Sequence, residues 1–240
     1  MNIFVGSAMS QLDVPCTLQL RRLAVTPISQ VPEHVSLPQL QAFYQTDPLY
    51  ELHPLFSGGL PNLAKLYLSE TDEDTLLLIL GHVGRQLRTL HFSILDGGWV
   101  QLDRLLHACP NLSMLDVCTS LSPQSTSQLL PDTLKHLRTL RFYLSYSDWM
   151  PSGLLLQILQ MASQLQSVEL DSVMLRDEDL RAWAELAKEG VCMQHLEEVY
   201  WYLNSRDFTK QQGKRLVDEV LVSCSVHCPQ MQQFKVSYTP

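Results

Sequence analysis

Apolar residues recur along the chain in short triplets of the form L-x-x-L-x-L, where x is any residue. The triplet that begins at Leu112 continues with Leu115 and Val117. It follows a stripe of apolar residues with the i, i+3, i+4, i+7 spacing of an amphipathic helix. A helix, a tight turn and a short strand are therefore predicted as one unit. This unit recurs along the chain. Because an internal repeat determines the architecture of the whole chain, the repeat is considered before any other feature.

The triplet occurs nine times. Its first position is occupied by Leu20, Leu40, Leu63, Leu87, Leu112, Leu137, Leu165, Leu196 and Met231. The spacing between successive triplets grows from 20 residues near the N-terminus to 35 near the C-terminus. Only Gln45, in the second triplet, breaks the apolar rule at the remaining positions. Helices that lengthen beside strands of about five residues account for the growing period.

The connections between triplets change character along the chain. Those over 27–38 and 47–61 contain several prolines, which excludes a regular helix beyond about one turn. From Thr71 onward helices are predicted, with the Thr71 hydroxyl as the first cap and Leu76, Leu77, Leu80 and Val83 on the buried side. Further helices are predicted over 99–109 and 149–164, and another with acidic residues in its first turn at 177–179.

Cys109-Pro110-Asn111-Leu112 places a Cys at the end of a helix and Pro-Asn-Leu at the start of a strand. With the nine triplets, this resembles the leucine-rich repeat family, and more narrowly its ribonuclease-inhibitor-like and F-box leucine-rich repeat type. The resemblance implies an α/β leucine-rich-repeat solenoid, a horseshoe with a concave parallel β-sheet, convex helices and about nine repeats. We expect a single domain over 1–240, in which 1–17 form an irregular N-terminal cap or a truncated start. No F-box pattern is recognisable in the chain.

In this family an Asn or Cys five residues after the second apolar position ties successive loops together. Here that place holds other residues in most units, among them Thr71, Ser120 and Val173. We expect the hydroxyl groups to make weaker versions of the link.

Residues next to the apolar pairs should form rows on the concave face, because successive side chains of a strand point to opposite faces. Tyrosines and charged residues concentrate in the C-terminal half of these rows, and such residues dominate interface hot spots. The predicted protein-binding residues are Arg141, Tyr143, Glu169, Asp171, Glu198, Tyr200 and Tyr202. Their acidic excess predicts a partner with a basic contacting segment. The alternative is a solvated face whose charges pair in a ladder, Asp116–Arg141–Glu169.

The resemblance implies a non-catalytic scaffold for protein–protein interaction. For the F-box type it further implies the substrate-recognition part of a cullin-based ubiquitin ligase, whose adaptor would dock through a region not in this chain. A stand-alone inhibitor-like or adaptor protein without a ligase link is the alternative.

A remote catalytic alternative is a Cys-dependent hydrolase that uses Cys118, His91 and Asp116 on adjacent strands. Against it, the amides of a parallel sheet are already paired and leave no donors for an oxyanion. The chain is therefore predicted not to be an enzyme.

Cys192, His195, Cys224 and Cys228 have spacings that a zinc site tolerates. Three of them, the cysteines, fall on the predicted buried faces of helices, where Cys behaves as a small hydrophobic residue. Neither a metal nor another cofactor is expected.

Composition narrows the class of partner. The 240 residues are 45% hydrophobic and 18% charged, with a formal net charge of −8. This charge argues against nucleic acid and against an anionic membrane surface, both of which require a basic face. No apolar run reaches the length of a membrane helix and no signal peptide is recognisable. We expect a cytoplasmic or nuclear protein with reduced cysteines.

Overall fold

The computed structural model describes residues 2–5, 16–25, 31–32, 35–49, 51–57, 60–94, 98–122, 129, 131–144, 149–190, 193–204 and 211–239. Within these residues, ten parallel strands form one sheet, and two further pairs of short parallel strands lie apart from it. The strands are β1 (Asn2–Val5), β2 (Cys16–Thr17), β3 (Arg22–Val25), β4 (Val35–Ser36), β5 (Ala42–Gln45), β6 (Lys65–Thr71), β7 (Thr89–Ile94), β8 (Trp99–Val100), β9 (Met114–Cys118), β10 (Ser120–Leu121), β11 (Thr139–Tyr143), β12 (Ser167–Asp171), β13 (Glu198–Asn204) and β14 (Gln233–Thr239).

The main sheet follows the order of the sequence, β1-β3-β5-β6-β7-β9-β11-β12-β13-β14. The short strands pair as β2 with β4 and β8 with β10. Asn2–Val5 pairs with β3 at one edge of the sheet, where the sequence predicted an irregular segment. Most of the remainder of the predicted N-terminal cap lies outside the described residues.

Helices connect the strands of the main sheet from β5 onward. They are α1 (Pro54–Ser57), α2 (Glu73–Val83), α3 (Leu102–Ala108), α4 (Pro131–Leu134), α5 (Leu154–Met161), α6 (Asp177–Glu189) and α7 (Gln211–His227), with a 3₁₀ turn at Gly84–Gln86. Each helix contacts the next along the chain, so the helices form a layer of their own. The molecule is an α/β fold of a parallel sheet and a layer of helices. Among the described helices, none combines the length and the apolar character that crossing a membrane requires.

The apolar triplets determine the register of the sheet. Leu90, Leu115, Leu140 and Val168 are direct neighbours on adjacent strands, and all four are fully buried. Two residues later, Phe92, Val117, Phe142 and Leu170 repeat the arrangement. Because strand side chains alternate between faces, these positions fill the space between sheet and helices. The predicted burial of the apolar pairs is confirmed on these four strands, whereas Phe234 and Val236 of the last triplet are only partly buried.

A turn of the same kind precedes each of these strands. The amide at the first triplet position donates to the carbonyl three residues earlier, as in Leu112 to Cys109 and Leu137 to Leu134. Where Pro-Asn-Leu opens the strand, the Asn side chain adds a link to the previous connection. Asn111 Nδ2 donates to the Arg85 carbonyl at 2.7 Å. Asn62 Nδ2 donates to the Pro38 carbonyl at the same distance.

The first long helix is capped differently from the prediction. Asp72 is the cap of α2, and its carboxylate accepts a hydrogen bond from the Thr75 amide at 2.8 Å. Thr71 is the last residue of β6, and its hydroxyl donates to the Leu49 carbonyl at 3.0 Å. The predicted Thr71 cap is wrong, but the predicted hydroxyl link between neighbouring connections is confirmed there. Leu76, Leu80 and Val83 lie in the core on this helix as predicted, but Ile79 lies there in place of Leu77.

Two helices begin later than predicted. The helix expected from 99 begins at Leu102, because Trp99 and Val100 pair with β10 instead. The helix expected over 149–164 spans Leu154–Met161, because Trp149 forms a bridge with Met174 and Gly153 turns the chain with φ at 74°. By contrast, α6 has the predicted acidic first turn and ends at Gly190, whose positive φ suits a glycine.

Candidate protein-binding surface

The sheet has one face against the helices and one face that carries polar and aromatic side chains, here called the open face. Its central row contains the residues between the two buried positions of each strand. These are Ala24, Tyr44, Tyr67, His91, Asp116, Arg141, Glu169, Tyr200 and Lys235, each the direct neighbour of the next on adjacent strands. The row predicted from the sequence is therefore present with the predicted register.

Aromatic rings occupy the N-terminal half of the central row. The rings of Tyr44 and Tyr67 are stacked, with centroids 4.4 Å apart and planes 13° from parallel. The Tyr67 ring also lies beside the His91 ring, with centroids 5.8 Å apart. Burial raises the pKa of Tyr67, and the nearby Tyr44 phenol and Asp116 carboxylate add to the effect. This half of the face presents a continuous aromatic surface.

Asp116 lies at the centre of the row. Its Oδ2 is 2.9 Å from Nδ1 of His91, and its side chain is only 9% exposed. Its other oxygen, Oδ1, is buried and has no hydrogen-bond partner among the described residues. The charge ladder considered as the alternative does not form at this point, because Asp116 contacts His91 and no ion pair joins it to Arg141 within the described chain.

Arg141 instead pairs with Glu169, whose Oε2 lies 3.0 Å from the arginine Nε. Tyr143 is adjacent and donates a hydrogen bond to the Glu169 carboxylate. Burial, and next the negative charge of Glu169, raise the pKa of Tyr143 to about 12. Three of the predicted binding residues are thus one connected group.

The other four predicted residues lie on the neighbouring strands. Glu169 is the direct neighbour of Tyr200, Asp171 of Tyr202, and Ser167 of Glu198. The Tyr200 hydroxyl donates to Gln233 Oε1 at 3.0 Å, and Asp171 accepts from the Ser172 hydroxyl at 3.0 Å.

All seven predicted residues are half-buried and lie on the open face of β11, β12 and β13. The structure therefore brings the predicted set together on three adjacent strands. Three of its members are acidic and one is basic.

The selection made from the sequence left out Tyr44, Tyr67, His91 and Asp116, although they belong to the same row. The stacked Tyr44 and Tyr67 rings and the His91–Asp116 contact make these four residues as organised as the predicted set. The recurrence of Tyr at the same register in two successive triplets was the signal that could have identified them. The organised part of the open face is therefore longer than the predicted set of residues.

The hydrolase alternative requires Cys118, His91 and Asp116 to act together. The histidine and the aspartate do pair, but Cys118 lies two residues beyond Asp116 on the same strand. Partial removal of the Cys118 thiol from water raises its pKa although the residue as a whole is exposed, and the charges of Asp116 and Asp171 raise it further. A nucleophilic cysteine requires a lowered pKa, so the surroundings act against the chemistry.

The cysteines considered as metal ligands lie in the core where they are described. Cys224 and Cys228 are buried on and just after α7, and both are free thiols. A hydrogen bond to Cys228 and, next, burial raise the pKa of Cys224. Cys192 lies outside the described residues. Within the described residues, His, Cys, Asp and Glu side chains form no group of three or more that could hold a metal ion.

Comparison of the chain with protein-family models, with curated proteins and with solved structures found no significant match. The arguments about function therefore start from the residues of the open face.

Proposed function

We propose that the chain is a leucine-rich-repeat protein of the ribonuclease-inhibitor-like and F-box leucine-rich repeat type. In this proposal the sheet lines the concave side of a solenoid and the helices lie on its convex side. The concave side binds another protein, without catalysis. Three features support the proposal: the sequential order of a wholly parallel sheet, the alignment of the apolar triplets across it, and the recurring turn before each strand.

The observation that carries the binding role is the open face of β11, β12 and β13. Seven half-buried side chains lie there, among them three tyrosines and an arginine. Tyrosine contributes a large contact area and has few rotatable bonds. Arginine contributes several hydrogen-bond donors in a fixed planar arrangement. Both residues are enriched at interface hot spots. A sheet surface that served solvent alone would not need this concentration of aromatic rings.

The charge of the surface indicates the chemistry of the partner. Glu169, Asp171 and Glu198 outnumber Arg141, the basic residue of the predicted set. Arg141 is also partly neutralised by its ion pair with Glu169. We therefore propose that the contacting segment of the partner is basic, because charge complementarity accelerates encounter and excludes acidic competitors.

The proposal extends to substrate recognition for a ubiquitin ligase on narrower grounds. It rests on the resemblance of Cys109-Pro110-Asn111-Leu112 to the F-box leucine-rich repeat type. In that case the ligase adaptor docks through a region outside this chain. Co-purification of the adaptor with the natural full-length protein tests the link, and a full-length protein that recovers the partner without any adaptor supports the stand-alone alternative.

Affinity capture with two matched variants tests the binding role. One variant carries Tyr200→Ala and Tyr202→Ala on the open face. The control carries Glu178→Ala and Arg181→Ala, two exposed positions on α6. We expect mass spectrometry to identify a protein that is captured by the wild type and by the control but lost from the open-face variant. Equal recovery by both variants would contradict the proposed surface.

A further inference from the structure

The carboxylate of Asp116 is buried, and only one of its two oxygens has a partner among the described residues. An unpaired charged group at a buried position lowers the stability of the folded state. Its side chain is more than nine-tenths buried, and Oδ2 is held by His91 at 2.9 Å. Oδ1 has no donor within the described part of the chain. A buried carboxylate oxygen without a donor destabilises the state that contains it. A ligand that supplies the missing hydrogen-bond donor therefore gains more binding free energy here than it would at an exposed carboxylate.

The groups around Asp116 indicate which donor fits. On adjacent strands, His91 is the direct neighbour of Asp116 on one side and Arg141 on the other. Tyr143 lies two residues beyond Arg141 on β11, and Tyr67 lies one strand beyond His91. Neither phenol donates to Oδ1, which has no donor within the described residues. The site therefore consists of an acceptor with a ring directly beside it and two phenols further along the face, which suits a cation.

The charges facing this site favour a positive group. Asp116, Glu169 and Asp171 are acidic, and Arg141 is the basic group among them. The three carboxylates and the one guanidinium together carry a formal charge of −2. Arg141 is the direct strand neighbour of Asp116 but contacts Glu169, so the aspartate remains available.

A single free oxygen discriminates between the two common cationic side chains. Arginine binds carboxylates best through two parallel hydrogen bonds, which need both oxygens. His91 already occupies Oδ2. The ammonium group of lysine acts as a compact point charge and is satisfied by one oxygen together with neighbouring rings. We propose that Asp116 Oδ1 receives the ammonium group of a lysine side chain from the bound partner protein.

This inference rests on the proposed binding function and assigns the anchor of its basic partner. Asp116 and its neighbours lie on the open face. Oδ1 is therefore covered by side chains, which can move, and not by backbone. His91 is 33% exposed and Arg141 is 38% exposed, so both have room to rotate when a lysine enters.

Nuclear magnetic resonance titration with a small probe tests the site in the whole chain. The probe is the capped tripeptide acetyl-Gly-Lys-Gly-amide, at about physiological salt so that long-range attraction to the acidic protein is screened. Matched probes carry Nε-acetyl-lysine or arginine in place of lysine. We expect the lysine probe to shift the His91 ring signals saturably and the acetylated probe to leave them in place. Asp116→Asn should weaken lysine binding at least tenfold, and Glu178→Gln on α6 should change it less than twofold.

His91→Ala gives a second readout that a merely structural aspartate would not produce. The substitution removes the His91 ring from Oδ2, so both oxygens of Asp116 become available. We therefore expect the affinity for the arginine probe, relative to that for the lysine probe, to increase at least tenfold. This variant decides the question if Asp116→Asn proves unfolded by circular dichroism. Absence of saturable lysine binding to the wild type, or equal binding by Asp116→Asn, would overturn the lysine site. An unchanged ratio of arginine to lysine binding in His91→Ala would do the same.

The two proposals fail separately. If the lysine probe does not bind while Tyr200→Ala with Tyr202→Ala still abolishes partner capture, the anchor is wrong and the protein-binding role stands. If the probe binds at Asp116 while variants of the open face leave partner capture unchanged, the site takes a cation and the proposed protein-binding surface is wrong.

Discussion

The indole Nε1 of Trp201 donates a hydrogen bond to the backbone carbonyl of Val173, 3.1 Å away, and both residues are completely buried. Val173 lies five residues after Val168, where the proposed leucine-rich repeat family would carry an Asn or Cys. The Trp side chain on β13 thus secures the turn after β12 from the adjacent strand. If the proposal of that family is correct, this bond takes the place of the link that an Asn or Cys would make.

Replacement of Trp201 by Phe should remove this hydrogen bond while most of the ring volume remains. The Val173 carbonyl would be left buried without its donor, which costs about 1–3 kcal/mol of unfolding free energy. Urea denaturation followed by circular dichroism measures the change. Trp149→Phe is the matched control, because Trp149 is 53% exposed and its replacement should change stability by less than about 0.5 kcal/mol. Equal stabilities of the two variants would show that the Trp201 bond contributes nothing.

Leu140 tests the aligned core. It lies between Leu115 and Val168 on adjacent strands and is completely buried. Leu140→Ala should lower the unfolding free energy by about 2–5 kcal/mol, since it leaves a cavity that the neighbouring strands cannot close. Leu78→Ala makes the same chemical deletion at a position that is 55% exposed and should have a much smaller effect. A loss below about 0.5 kcal/mol for Leu140→Ala would mean that the strand faces the other way.

The register of the sheet could be predicted because it depends on local spacing alone. A strand whose apolar residues are two apart can bury them in one way only, so Leu90, Leu115 and Leu140 align whatever connects them. Helix starts were less predictable because distant pairing competes with helix formation. Trp99 follows an apolar pattern that suits a helix, but its backbone pairs with Ser120, twenty-one residues later.

Side-chain pairing on the open face shows a similar limit. The sequence places Asp116, Arg141 and Glu169 next to one another, and this adjacency is confirmed. Spacing does not decide which carboxylate Arg141 contacts, because that depends on the rotamers available to several side chains at once. Arg141 contacts Glu169, and His91 takes Asp116. The candidate site was thus predictable as a set of positions, whereas its internal contacts required the structure.

Tyr143 should titrate near pH 12, well above the ordinary tyrosine value of 10.0. Burial and the Glu169 carboxylate both disfavour the phenolate in the folded protein. Since the pKa is higher in the folded state, this group stabilises the fold fully below about pH 10. That contribution is lost as the pH rises toward 12, where the unfolded chain releases the proton first. Ultraviolet titration of wild type and Tyr143→Phe identifies the transition. Glu169→Gln should lower the pKa of Tyr143, and an unchanged value would show that the carboxylate plays no part.

The cysteines should differ sharply in reactivity. Burial raises the pKa of the Cys109 thiol to about 12, and this side chain has no exposed surface. Cys118 is exposed, so it should be modified by a maleimide in the folded protein while Cys109 and Cys224 react only after unfolding. Peptide mass mapping locates the modified residues. Cys224→Ser should lower stability without removing a metal ion, and stoichiometric zinc that is lost in this variant would contradict a purely structural role.

Tyr200 and Tyr202 should govern how long the complex lasts, while the acidic residues govern how fast it forms. Aromatic anchors that become buried at an interface act mainly on dissociation, so Tyr200→Ala with Tyr202→Ala should cost about 2 kcal/mol or more of binding free energy. Glu198→Lys should instead slow association, most strongly at low salt where charges are least screened. It is a cleaner test of charge than Glu169→Lys, because Glu169 also holds Arg141.

Surface plasmon resonance with the captured partner separates the two rates. These variants should fold like the wild type, because the substituted side chains point away from the helices. Circular dichroism checks this. The control with Glu178→Ala and Arg181→Ala should match the wild type in both rates. A double tyrosine variant with an unchanged dissociation rate would remove β13 from the interface, and the binding surface would then have to lie toward the Tyr44–Tyr67 stack at the other end of the row.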